Sequence, residues 1–232
     1  MLVKPCSYGF RLQSTHRGIS CPVKITGQTY EVSDTKYLLV ENGRQRAYLA
    51  TEHSAACYFV YLENIAGRIE GTEYFNHFDQ YLHPDNSPLP NGFDPSWEKT
   101  EEMLENGLVN CAQYMTALSL NYPGMRFVFL YTGQNGREPA PSDWKGMSFN
   151  NHLFLSGLQL PLGDESIASI DLDLVKMYQS PWFEEFRTGL MDQIISLVSN
   201  CKLVMAFTSP GFIDQTEAGK WASYLIKKLF QE

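Results

Sequence analysis

Two places in this chain bring together residue types that could do chemistry. In "GLVNCAQYMTAL", Gly107 to Leu118, Cys111 stands between an asparagine and a small residue, at what could be the start of a helix. His152 follows in "NNHLFL", and Asp171 or Asp173 in "SIDLDLVKMY" could orient its second ring nitrogen. That set would be a Cys-His-Asp relay, with the thiolate stabilised by imidazolium and by a helix N-terminus. The second place is "EYFNHFDQYLHPD", where His77, Asp79 and His83 are of the types that ligate zinc or iron, with Glu73 one helical turn before His77. The order H-x-D-x-x-x-H is not a known ligand rhythm, and the spacing of the two histidines is awkward for one helical face. His16 and His53 stand alone and call for no special role.

The stretch "NCAQYMTAL" resembles the cysteine-bearing helix of papain-like peptidoglycan amidases and peptidases. That resemblance implies a cysteine opening a helix packed on a sheet, with a histidine on a later strand as base; Cys111 and His152 would take those roles. The apolar spacing argues otherwise. Leu104, Leu108, Cys111, Met115 and Leu118 step by three or four, which places Cys111 inside one buried stripe as a small hydrophobe. Gly107 is the one residue that could break such a helix and return Cys111 to a first turn. On balance a buried, structural Cys111 is expected.

The elements that would position these residues change character along the chain. "KYLLVENGRQRAYLA" reads as a hairpin about Asn42-Gly43, and "AACYFVYLE", "SYGFRLQ" and "QTYEVS" as further strands. "HPDNSPLPNGFDPSW" is a proline-rich connection. Beyond it the 3–4 stepping predicts helices over 96–120, 181–200 and 217–230. The all-apolar runs 126–132 and 202–208 are expected as strands of one sheet, with "NNHLFLSGLQL" and "SIDLDLVKMY" as two more. The expected fold is α+β: an antiparallel β-rich part (1–82), a Pro-rich connection (83–97), then helices packed on a C-terminal sheet (98–232), in one continuous domain.

The chain has 232 residues, 44% of them hydrophobic, enough for a real core. Its net charge of −8 argues against a general nucleic-acid binder, which needs a basic face. Residues 53–105 hold 2 Lys/Arg against 10 Asp/Glu, whereas residues 1–52 hold 7 against 4. No apolar run approaches a membrane span. Five widely spaced cysteines read as free thiols, and a cytoplasmic location is expected. "LVSNCKLVMAFTSPGF" is similar to the late strand and loop of TIR domains, which implies a buried strand leading into a functional loop. No nucleotide or other cofactor motif occurs, so none is expected.

These features lead to the expectation of a non-enzymatic protein that binds another protein with a basic surface, a bacterial toxin-neutralising immunity protein being one version. Neither nucleic acid nor a membrane is an expected partner. Contacts would come from Glu98, Glu101, Glu102 and Glu105, with Tyr74, Phe78 and Trp97 as aromatic anchors and Trp144 in a long polar loop. The rival is a cysteine hydrolase using Cys111 and His152.

Overall fold

The computed structural model describes residues 1–14, 16–79, 89–131, 147–150, 163, 166–178 and 184–230. Ten strands form one sheet among these residues. In chain order they are β1 (Leu2–Ser7), β2 (Ser20–Ile25), β3 (Gln28–Ser33), β4 (Lys36–Asn42), β5 (Gln45–Ala50), β6 (Tyr74–Asp79), β7 (Arg126–Tyr131), β8 (Met147–Asn150), β9 (Ser166–Asp171) and β10 (Leu203–Phe207). The helices are α1 (Ala55–Ile65), α2 (Trp97–Glu105), α3 (Tyr114–Asn121), α4 (Glu184–Val198) and α5 (Gln215–Leu229). The fold is α+β as expected, and the antiparallel and later strands share one sheet, joined where β5 runs parallel to β10.

The sheet order is β2-β3-β4-β5-β10-β9-β6-β7-β8, with β1 paired to β4. Strands β5 through β8 in that order are all mutually parallel. Leu203, Met205 and Phe207 of β10 enter one apolar cluster with α1 and α3, while Val204 and Ala206 enter the other with α4 and α5. Both faces of this strand are covered, which is why its sequence is a continuous apolar run rather than an alternating one.

Several elements differ from expectation. The β4-β5 hairpin pairs Asn42 with Gln45, so its two loop residues are Gly43 and Arg44, and Gly43 takes φ +63°. Glycine at the first loop position fits a two-residue turn of the II′ kind. "AACYFVYLE" forms α1 instead of a strand; Ala56, Phe59, Val60 and Glu63 are buried at helical spacing, and this packing overrides the strand preference of its aromatic residues. "SYGFRLQ" contributes only Ser7 to a strand. The long helix over 96–120 is two helices. Gly107 has φ +69°, and the amides of Gly107 and Leu108 bond back to Leu104 and Met103 carbonyls, a Schellman closure of α2. The segment "NNHLFLSGLQL" lies outside the described residues beyond Asn150, as do His83, Trp144 and His152. The strand in "SIDLDLVKMY" ends at Asp171, and Leu172–Tyr178 continue as a 3-10 helix. No helix among the described residues is long and apolar enough to cross a membrane.

Candidate functional site

The chain runs outward from β6 to β7 and β8, then returns to place β9 on the other side of β6. The segment after β6 leads to α2 and α3 on one face, and that after β9 leads to α4 on the other. A crevice beyond the carboxyl ends of parallel strands, where connections diverge in this way, is the usual ligand position in such sheets. Asp79 closes β6 and Asp171 closes β9. The strand period of two sets His77 with Asp79, and Ser169 with Asp171, on one face. Register makes His77 and Ser169 cross-strand neighbours.

These side chains form a buried cluster. Nδ1 of His77 lies 3.0 Å from the Ser169 hydroxyl and 3.1 Å from that of Tyr114, the first residue of α3. Nε2 of His77 is 3.5 Å from Oδ2 of Asp79. His53, just past β5, brings Nε2 within 2.8 Å of Oδ2 of Asp171. Ser209, just past β10, donates to Oδ1 of Asp171 at 2.5 Å and lies 3.1 Å from the same His53 nitrogen. The Asp173 amide donates to Asp171 Oδ1 at 3.0 Å, which turns the chain from β9 into the 3-10 helix and brings the Asp173 carboxyl back over the strand ends.

Burial raises the Asp171 pKa, but the His53 charge, the bonds from His53 and Ser209 and the Asp173 amide outweigh it, so the carboxyl is held below its usual range. Asp173 goes the other way. Burial, then the charges of Asp171 and Asp79, push it up to about 10. It is 3% exposed, and its Oδ1 has no hydrogen-bond partner. A buried polar atom left without a partner is costly, and a bound cation would satisfy this one.

Oxygen atoms of Asp79, Asp171 and Asp173 lie within 4.8 Å of one another. Ligands on opposite sides of one ion are separated by about 4.2 Å for magnesium and about 4.8 Å for calcium. The set is all carboxylate, so it suits a hard divalent cation rather than zinc. The same geometry rules out a Ser-His-Asp relay. Ser209 and Asp171 face one nitrogen of His53, whereas a relay needs the base between them, one on each nitrogen.

Of the residues singled out from sequence, His77, Asp79, Asp171 and Asp173 meet here, the first two as strand neighbours and not as helical ones. Asp171 pairs with His53, which sequence reasoning had set aside; His152, assigned to it as a relay partner, is outside the described residues. Cys111 is exposed, not buried, because the Schellman turn ends α2 before it and α3 begins after it. Leu108 of the expected stripe is 48% exposed. Phe78 is wholly buried among α4- and α5-side residues, so it cannot anchor a surface contact. Tyr74 is half-buried beneath Arg126. Trp97 is half-buried and stacks on Tyr61 at 4.1 Å. Glu98, Glu102 and Glu105 are exposed and Glu101 is half-buried. Ser169, Ser209 and Tyr114 carried no sequence signal beyond their place near strand or helix ends. No protein-family model, no curated protein and no solved structure matches this chain.

Proposed function

We propose that this protein is a divalent-cation-dependent hydrolase of phosphate esters, with the cation held by Asp79, Asp171 and Asp173. The observation that carries the reading is the buried carboxylate triad with the orphan Oδ1 of Asp173, at the carboxyl ends of the paired strands β6 and β9. A hard cation there would polarise phosphoryl oxygens and lower the pKa of a bound water. His53 lies at the edge of the triad, bonded to Asp171, and is the general acid or base of the reading. His77, held by Ser169 and Tyr114, orients Asp79. The test is titration calorimetry with Mn²⁺, Mg²⁺ and Ca²⁺, followed by assay on nitrophenyl phosphate mono- and diesters. Binding of one cation with a Kd of about 1 mM or tighter is expected, together with cation-dependent turnover, both lost in Asp173→Asn. A well-folded protein that binds none of the three ions rejects the reading.

A second reading keeps the protein-binding role, possessing its own support in the acidic face of α2. Mutual repulsion adds to burial there: burial, then Glu105 and Glu98, raise the Glu101 pKa. Exposed Leu108 lies just beyond this helix. A basic protein, such as a toxin under an immunity function, would relieve the repulsion. Charge reversal at Glu98, Glu101, Glu102 and Glu105 should slow association with such a partner in a salt-dependent way; an unchanged on-rate in a complex recovered from the host excludes the face.

A further inference from the structure

We propose that a basic pocket at the amino ends of β5 and β10 binds a small ligand carrying two or more phosphates. The pocket has a volume of about 560 Å³ and includes Arg44, Arg46, Arg68 and Lys202 among its lining residues. Two carboxylates serve these cations. Glu41 pairs with Arg46, and the buried Glu63 pairs with Arg46 at 3.2 Å and with Arg68 at 2.7 Å. Arg44 makes no ion pair among the described residues, and the Lys202 ammonium donates to the neutral main-chain carbonyl of Glu70 at 2.5 Å. The pocket therefore keeps a surplus of positive charge in a chain whose net charge is −8.

The layout follows from the fold. Arg44 sits at the tip of the β4-β5 hairpin, where Gly43 makes the turn, and Lys202 immediately precedes β10. Gln45 donates to the Ser199 carbonyl at 2.9 Å, which ties the hairpin to the end of α4 and fixes the mouth of the pocket. An arginine fork with no carboxylate to satisfy it matches phosphate oxygens in a bidentate way, and a lysine supplies a point charge beside it. The size favours a ligand larger than one inorganic ion. The acidic remainder of the chain opposes a long polyanion, whereas a compact ligand is governed by the local charge within a Debye length.

This pocket is distinct from the carboxylate triad. The same two strands carry His53 and Ser209 past their other ends, and Lys202 to Ser209 spans roughly 20 Å of extended chain. A ligand here does not enter the cation site.

The experiment is calorimetric titration of the full chain with sodium tripolyphosphate, in EDTA and at physiological salt, so that no divalent cation contributes. Saturable one-to-one binding is expected. Arg44→Ala and Lys202→Met should each weaken it about tenfold, the loss of one charged hydrogen bond, while Asp173→Asn leaves it unchanged. Both basic residues lie outside the core, and circular dichroism checks that each variant folds. No binding at millimolar tripolyphosphate, or equal binding by the Arg44→Ala/Lys202→Met double variant, overturns the proposal.

Discussion

Nε2 of His53 and Oδ2 of Asp171 lie 2.8 Å apart, joining the turn between β5 and α1 to the residue that closes β9. The contact exists because β10 lies between β5 and β9 and is parallel to both, which aligns their carboxyl ends. Removing one member of a buried pair leaves the other uncompensated and costs about 3–5 kcal/mol. Asp171→Asn and His53→Gln should therefore each lower the urea midpoint strongly. The double variant should lose less than the sum of the two; strictly additive losses would show that the pair is not coupled.

Asp173 is expected to behave in the opposite sense. Its pKa is pushed up to about 10 in the folded chain, above the ordinary value of 3.8. Its contribution to stability is complete below the unfolded pKa and declines as pH rises toward the folded one. In EDTA, Asp173→Asn should thus stabilise the protein at pH 8, by on the order of 2 kcal/mol, and change little at pH 4. Thermal melts at the two pH values check this, and a destabilised variant at pH 8 would contradict it.

The cysteines differ in exposure. Cys21, Cys57 and Cys201 are buried, with burial pushing each thiol up to about 12, while Cys111 is exposed and Cys6 half-buried. A bulky thiol reagent should modify Cys111 quickly in the native protein and the three buried thiols only on unfolding. Mass mapping of the modified peptide identifies the fast site; a fast peptide bearing Cys57 would refute the packing of α1 against α3.

Gly219 of α5 faces the main chain of Pro22 in β2, and a methyl group at this position would collide with the Pro22 carbonyl. Gly219→Ala should cost about 1–3 kcal/mol despite its better helix propensity. Chemical denaturation measures the loss. A variant as stable as the parent would mean that β2 and α5 separate easily.

The sequence by itself determined the elements whose signal is local. The apolar runs ending in Tyr131 and Phe207 are strands because nothing polar interrupts them, and α4 and α5 follow from 3–4 stepping. Gly107 was legible as a possible helix break, but only the packing of Leu104 and Met115 about a Schellman turn decided that it is one, and with it the exposure of Cys111. The aromatic run in α1 carried the wrong local preference and was settled by burial. For the site, His77 and Asp79 were visible as neighbours, and their shared face required knowing that β6 is a strand. His53, Asp171, Asp173 and Ser209 come from three separate stretches of chain. Strand order alone brings those stretches together, since residues distant in sequence become neighbours only when parallel strands align their ends, and no spacing within the sequence encodes that order.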